Sequence, residues 1–223
     1  MKCFIKCKCY LLLLLILIGC SEDKYYLVNE VVLTFDDAPC SPKYTAEILD
    51  VLKKHQVKAT FFCVGKALKD YPDLAYRIAT EQSMGNHTYT HINIEDSDFT
   101  HIFKEEILQA QHIIDSLQPY NKHYFRPPFG KLSSKHKSTL INNGFDVVMW
   151  DLSANDWNDK VSTQNVVDYF HRKLNSIAPI PIILFHFSKT SVEALDIILT
   201  EFEEKNISLI TLDDYKSRLY LKK

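Results

Sequence analysis

Two histidines spaced four apart and a pair of adjacent carboxylates are the residues of this chain that could bind a metal ion. His87 and His91 stand in the segment Asn-His-Thr-Tyr-Thr-His, and Asp36 and Asp37 follow an apolar run that ends in Thr-Phe. Two imidazoles and one carboxylate form a three-ligand set that leaves a coordination position open for water, as in catalytic zinc sites. Two histidines at this spacing also occur on exposed helices, but the acidic pair upstream favours a metal site.

The rest of the chain alternates short apolar runs with amphipathic segments, the pattern of βα units around a parallel sheet. The runs predict seven strands, at residues 31–35, 59–64, 84–87, 124–126, 145–150, 180–185 and 208–211. A period of 3.6 residues predicts helices over 103–117 and 195–202, and helices at 45–54, 73–80, 134–143 and 163–177 fill the remaining gaps. The sequence therefore predicts a single α/β domain built as a barrel one unit short of eight.

The candidate functional side chains all stand at the carboxyl ends of predicted strands. In chain order they are Asp36 and Asp37, His87 and His91, Arg126, Asp156 and Trp157, and His186. The βα loops of a barrel converge at this end, and the active site of such folds lies there. We therefore expect these side chains to line one site.

Four ordered motifs resemble those of the polysaccharide deacetylases, the NodB-homology domain of carbohydrate esterase family 4. Residues 34–39 resemble Thr-Phe-Asp-Asp-Gly-Pro with Ala38 in the glycine position, and residues 87–91 match His-Ser/Thr-x-x-His. Residues 126–130 match Arg-x-Pro-x-Gly, and residues 184–186 match Leu-x-His. The resemblance implies a distorted (β/α)7 TIM-like barrel over residues 31–223. It also implies metal-dependent removal of N-acetyl or O-acetyl groups from an acetylated polysaccharide.

The resemblance also implies a role for each residue. The metal ligands are Asp37, His87 and His91. Their donor set favours Zn²⁺, with Co²⁺, Ni²⁺ or Mn²⁺ as substitutes. Asp36 is the general base, or otherwise only a support for the ligands, and Arg126 pairs with it. His186 is the general acid that protonates the departing sugar amine. The backbone N–H of Phe129 is a donor for the oxyanion, and Trp157 is either a platform for sugars or a wall of the core.

One motif departs from the family pattern. Asp-x-x-Asp-Trp aligns on residues 153–157, so that Ser153 replaces the first aspartate while Asp156 and Trp157 are retained. In the family that aspartate supports the catalytic histidine, and a neutral hydroxyl stabilises an imidazolium less well. Asp151, two residues earlier, is an alternative support. We expect an active enzyme in which His186 is less strongly supported.

The first 19 residues have the features of a lipoprotein signal peptide. Lys2, Lys6 and Lys8 precede an apolar run at residues 11–18, which is shorter than the roughly 20 residues that a membrane span needs. The run ends in Leu-Ile-Gly-Cys, which resembles a lipobox with Cys20 as the acylated residue; a plain secretory signal is the alternative. We expect residues 20–30 to form a tether, and the protein to be an exported, membrane-anchored lipoprotein of the cell envelope. Acidic residues after Cys20 resemble a signal for surface exposure.

The charge balance argues against a nucleic-acid partner. Three of the 26 Lys and Arg residues lie in the signal segment, so the remaining chain has fewer basic residues than its 28 acidic ones. No motif indicates a protein partner. Two alternatives to a deacetylase remain: an amidohydrolase for small amides on the same barrel, and a surface lipoprotein that binds carbohydrate without turnover. The sequence does not identify the polysaccharide.

Overall fold

A computed structural model describes residues 28–95, 98–119, 122–153, 155–158 and 160–220. The strands in this part of the chain are β1 (Glu30–Ala38), β2 (Thr60–Cys63), β3 (Ser83–Asn86), β4 (Tyr124–Phe125), β5 (Asp146–Val147), β6 (Leu152–Ser153), β7 (Ile182–Phe185) and β8 (Ser208–Leu209). They form one parallel sheet in the order β5-β4-β3-β2-β1-β7-β6, and β8 pairs with the first residues of β1. The sheet curls into a half-barrel whose two edges are β5 and β6.

Helices surround the sheet. The α-helices are α1 (Pro42–Lys54), α2 (Gly65–Asp70), α3 (Pro72–Glu81), α4 (Phe99–Ile102), α5 (Gln109–Leu117), α6 (Ser134–Asn142), α7 (Thr163–Lys173), α8 (Lys189–Glu204) and α9 (Leu212–Tyr220). A π-helix (Phe103–Leu108) joins α4 to α5, and short 3-10 turns lie at Pro128–Gly130 and Leu174–Ser176. No helix within these ranges is long and apolar enough to cross a membrane.

Strand β1 is the centre of the sheet and carries the acidic pair. Its sequence is apolar without alternation and nearly every residue is buried, as expected for a parallel strand covered on both faces. The Phe35 ring stacks on Phe61 of β2, with the ring centroids 4.8 Å apart. The pairing register with β2 shifts between Phe35 and Ala38, and Asp37 there has a φ of 68°. This irregularity ends the regular ladder where the two carboxylates stand.

The architecture confirms the predicted single-domain, parallel α/β fold of the (β/α)7 type, although some of its elements differ. The predicted strand 145–150 is shortened to β5, and Arg126 binds the carbonyl oxygens of Val148 and Met149 that follow it; β6 lies outside the predicted range. The helix predicted over 103–117 begins earlier, at Phe99, and contains the π-helix. Helices α2 and α9 were not predicted.

The predicted signal peptide, Cys20 and all but the last residues of the tether lie outside the described residues. The cysteines that the structure describes are both free: Cys40 is exposed and Cys63 is buried. Burial raises the pKa of Cys63, as expected for a thiol that serves as a small apolar core residue.

Candidate active site

An open cavity of about 670 Å³ lies at the carboxyl ends of the strands. Its lining contains residues from five of the predicted motifs. These residues are Asp36, Asp37, His87, His91, Phe129, Ser153, Trp157 and His186. Trp150, Asp151, Asn155, Tyr169 and Leu184 complete the lining. The structure therefore brings the motifs, which are far apart in the sequence, to one site.

Asp37, His87 and His91 form the group that could hold a metal ion. One ligand atom from each residue lies within 4.8 Å of the other two. Asp37 Oδ1 is 3.0 Å from His91 Nε2 and 3.4 Å from His87 Nε2. Burial would raise the pKa of Asp37, but the two imidazoles outweigh it and hold that pKa well below its usual range. The carboxylate is therefore ionised at neutral pH, as a metal ligand must be.

Two further observations fit a bound cation at this group. Asp37 Oδ1 is buried and has no hydrogen-bonding partner in the part of the chain that the structure describes, a costly state for a carboxylate oxygen without a ligand. The His87 Nδ1–H donates to the carbonyl oxygen of Arg126 over 2.7 Å. Because a carbonyl only accepts, this bond fixes the tautomer and leaves the lone pair of neutral His87 on Nε2, facing Asp37.

Asp36 lies beside the metal group but is held by a different partner. Its Oδ1 accepts from Arg126 Nη1 over 2.7 Å, while its Oδ2 is 3.8 Å from His87 Nε2. Arg126 is fully buried, and its Nη1 also donates to Thr34 Oγ1 over 2.9 Å. The guanidinium lies over the Phe62 ring at 4.0 Å. These contacts hold the guanidinium in place, so Asp36 has a fixed cationic partner.

His186 is supported by Asp156. Its Nδ1–H donates to Asp156 Oδ1 over 3.1 Å, and its backbone N–H donates to Oδ2 over 2.7 Å. Asp156 Oδ2 also accepts from the hydroxyl of Ser191, in the first turn of α8, over 2.6 Å. Burial alone would lower the pKa of His186, but the hydrogen bond and the charge of Asp156 raise it above its ordinary value. Nε2 is therefore the ring nitrogen of His186 that is available to a substrate in the cavity.

The expectation that Ser153 weakens the support of His186 is wrong, because the supporting carboxylate is Asp156. Asp151 is not the substitute either: its Oδ2 accepts the backbone N–H of Ile182 over 2.8 Å. Which carboxylate reaches the histidine depends on the loop after β6, which turns Asp156 inward under α8. Ser153, at the end of β6, lines the cavity without this role.

Aromatic side chains form the rim. Phe129 is 62% exposed and Trp157 is 59% exposed, so Trp157 is not a wall of the core. The Phe129 ring lies edge-on to His91 at 4.8 Å, and Phe129 has a φ of 61° in the turn before Gly130. A second cavity of about 400 Å³ shares Asp37, Trp157 and His186 with the first and extends along Tyr44 and Lys189. Together the two cavities form an open groove across the site.

The sequence reasoning missed several residues of the site, among them Tyr169 in the cavity lining and the three that follow. Trp150 lines the cavity and fills the space against Gly130, Ser191 binds Asp156, and Glu106 binds the backbone of the His87–His91 loop. None of them belongs to a motif that the resemblance covers. The sequence contained one weak indication of Glu106: it is an acidic residue in the helix that follows the histidine motif.

Comparisons with known proteins agree with this geometry. The family model described as polysaccharide deacetylase matches residues 27–148. The chain is 33% identical over 193 residues to the peptidoglycan-N-acetylglucosamine deacetylase of Bacillus cereus, covering 84% of this chain and 68% of that protein. It is 32% identical to the peptidoglycan-N-acetylmuramic acid deacetylase PdaC of Bacillus subtilis over 82% of this chain, but spans only 38% of that protein.

A solved structure shows the same fold. BA3943 of Bacillus anthracis, described as a CE4 family pseudoenzyme, superimposes with a TM-score of 0.76 at 27% identity, over 85% of this chain and 66% of that one. The fold, the site and the family match together define the class of protein. This chain belongs to the polysaccharide deacetylase family, and it is similar to the peptidoglycan deacetylases of two Bacillus species.

Proposed function

We propose that this protein removes N-acetyl groups from the sugars of a cell-envelope polysaccharide, and that peptidoglycan is its substrate. Family membership alone does not carry the proposal, because a member of this fold is described as a pseudoenzyme. The observation that carries it is the convergence of three separate units on one cavity: the Asp37–His87–His91 group, the Asp36–Arg126 pair and the Asp156–His186 pair. The names of the two curated relatives support peptidoglycan as the polymer.

Asp37, His87 and His91 would hold one divalent metal ion. Two imidazoles and a carboxylate with an open position favour Zn²⁺, and Co²⁺, Ni²⁺ or Mn²⁺ are alternatives that the same donors accept. When bound, such an ion lowers the pKa of water and polarises the acetyl carbonyl as a Lewis acid. The chain's contribution is to keep His87 in the tautomer with a free Nε2 and to keep Asp37 ionised.

Asp36 is the general base that takes the proton from the attacking water. It stands next to the ligand Asp37 along β1, and its Oδ1 is committed to Arg126, which leaves Oδ2 on the side of His87. The buried guanidinium fixes the orientation of Asp36, so that no reorganisation is needed when the proton moves.

His186 is the general acid. An amine is a poor leaving group unless it is protonated as the C–N bond breaks, so hydrolysis of an N-acetyl group needs a donor on that side. His186 Nδ1–H is used by Asp156, and the proton on Nε2 is the one available to the leaving nitrogen. The pKa of His186, raised chiefly by its hydrogen bond to Asp156, favours retention of that proton.

The backbone N–H of Phe129 supplies a donor for the oxyanion, and the open groove receives the polymer. The turn at 128–130 is held by Pro127 and Pro128 on one side and by the left-handed residues Phe129 and Gly130 on the other. The exposed rings of Phe129 and Trp157 offer apolar faces to sugar rings. Because the groove is open along Tyr44 and Lys189, a chain of sugars can pass through it.

The protein acts from the outside of the cytoplasmic membrane, held by a lipid on Cys20. The motif around Cys20 supports this anchor, and an envelope glycan as substrate requires export. The acidic residues that follow Cys20 favour a position on the cell surface.

The proposal is tested by measuring the acetate released from purified peptidoglycan and the primary amines formed on the polymer. N-deacetylation releases one acetate for each new primary amine, whereas O-deacetylation releases acetate without new amine. We expect equal amounts of acetate and new amine from peptidoglycan. Acetylated xylan should release less acetate than peptidoglycan does. Turnover of simple acetamides but not of glycans would support the amidohydrolase alternative and contradict the proposal.

A further inference from the structure

The loop that carries the two histidines has a conformation that its own residues do not favour. Thr88 has a φ of 67° and His91 a φ of 61°. Both lie in the left-handed region, which is uncommon for residues other than glycine and is disfavoured for a β-branched residue such as threonine. A backbone of this kind persists only where surrounding contacts determine it. The position of His91 therefore depends on what holds the loop.

Glu106 is a side chain outside the loop that binds this backbone, whose carbonyl oxygens at Thr88 and Tyr89 accept the N–H groups of Gly65 and Lys66. Its Oε2 accepts the N–H of Tyr89 over 3.0 Å and the N–H of Thr90 over 2.7 Å. Its Oε1 accepts from the hydroxyl of Thr90 over 2.7 Å. One carboxylate thus binds three donors from the two residues between the left-handed positions. Hydrogen bonds to an ionised acceptor are the stronger kind.

The helix that presents Glu106 is itself fixed to the start of the loop. Glu106 lies in the π-helix Phe103–Leu108, and π-helical turns occur often beside functional sites. Asn86 Nδ2 donates to the carbonyl oxygen of Ile107 over 2.9 Å, and Asn86 Oδ1 accepts the N–H of Thr88 over 2.9 Å. The π-helix is therefore connected to the loop on both sides of His87.

We propose that Glu106 is a positioning residue for the metal ligand His91. It does not approach the metal group itself; it acts by holding residues 89 and 90 so that the His91 ring lies beside Asp37, where the Nε2 to Oδ1 distance is 3.0 Å. His87 has its own fixation through the carbonyl of Arg126. The two histidines are thus placed by different parts of the fold, and His91 depends on the π-helix. This inference rests on the metal site of the proposed function.

The test compares Zn²⁺ affinity, measured by competition with a chromogenic chelator, in the wild type and three variants. Glu106→Ala removes all three acceptor contacts, and we expect Zn²⁺ to bind about 10–100-fold more weakly, the range for residues that orient ligands. Glu106→Gln keeps an amide oxygen for the two N–H groups, and its amide can donate to the Thr90 hydroxyl. It should recover most of the affinity. Glu105→Ala is the matched control, because Glu105 is on the same turn but pairs with Lys104; its affinity should equal that of the wild type.

Absorption of the Co²⁺-loaded proteins and the unfolding temperature of the metal-free proteins complete the test. A change of the Co²⁺ spectrum in Glu106→Ala but not in Glu105→Ala supports an altered ligand geometry. If Glu106→Ala does not fold, Glu106→Asp replaces it, because the carboxylate is withdrawn by one methylene while the charge stays. Wild-type affinity in the Ala or Asp variant overturns the inference, and so does an equal loss in the Gln and Ala variants. Failure of the wild type to bind Zn²⁺ would instead overturn the metal site of the proposed function.

Discussion

Asp156 binds His186 twice, through the ring Nδ1–H to Oδ1 at 3.1 Å and through the backbone N–H to Oδ2 at 2.7 Å. The double contact fixes both the ring orientation and the start of the chain segment that leads into α8. Asp156 is almost completely buried, so its charge acts on the imidazole with little screening by water. Burial lowers the pKa of His186, and among the groups that raise it Asp156 contributes most.

Replacement of Asp156 should move the alkaline limb of activity. His186 must be protonated to donate, so activity is lost as the pH rises through its raised pKa. Asp156→Asn removes the charge that raises this pKa, and the alkaline limb of a kcat profile should move to lower pH by about 1–3 units. Asp151→Asn is the control, because Asp151 lines the same cavity but binds Ile182. An alkaline limb that stays in place in Asp156→Asn would show that His186 is not the acid.

Asp36 and Asp37 should separate into two roles when each is changed to asparagine. Asp36→Asn should keep the metal and lose activity by a factor of about 10²–10⁴, the usual contribution of a general base. Asp37→Asn should lose metal affinity, because an amide is a poorer ligand than a carboxylate. Elemental analysis after gel filtration measures the metal, and acetate release measures the activity. Equal metal loss in both variants would show that the two carboxylates share the ion.

Arg126 should contribute to stability as well as to activity. Arg126→Gln leaves Asp36 as a buried carboxylate without its cation, a change that typically costs about 3–5 kcal/mol in the free energy of unfolding. Arg218→Gln removes an arginine of an exposed pair with Glu30, and should change the stability little. Urea unfolding of both variants gives the comparison. A loss in Arg126→Gln no larger than that in Arg218→Gln would contradict the role of the buried pair.

Cys20 should determine where the protein is found in the cell. Cys20→Ala removes the thiol that would carry the lipid, so the variant should lose incorporation of a labelled fatty acid and should no longer partition into detergent. Ser21→Ala, one residue further on, should behave as the wild type. Continued labelling of Cys20→Ala would point to an anchor other than this cysteine.

The sequence predicted that Asp37, His87, His91 and His186 would meet at one site because their motifs stand at the ends of strands, and the structure brings them to one cavity. Parallel strands of one sheet bring their carboxyl ends together whatever the path of the loops. The proximity of Asp37, His87 and His186 could therefore be predicted without knowing the connections. The support of His186 was assigned wrongly because both Ser153 and Asp156 are near the end of β6. Only the path of the following loop decides which side chain points at β7.

The elements that depend on side-chain contacts over long sequence distances were the least predictable. Residues 145–150 have the composition of one strand, but the guanidinium of Arg126, which directly follows β4, binds two of its carbonyl oxygens. Glu106 follows His91 by 15 positions, in a segment whose period indicates only an amphipathic helix. The carboxylate of Glu106 reaches back to the loop because of how the π-helix packs. The hydrophobic periodicity of the segment does not predict this packing.

Acetate release from peptidoglycan during removal and return of the metal tests the central claim most directly. The enzyme is stripped with a chelator, dialysed, assayed, and then titrated with Zn²⁺ while acetate and new amines are counted. The account predicts no release from the stripped enzyme and full recovery at about one Zn²⁺ per chain, with His91→Ala inactive at the same zinc concentration. Undiminished release of acetate by the stripped enzyme, or by His91→Ala, would contradict a deacetylase built on Asp37, His87 and His91.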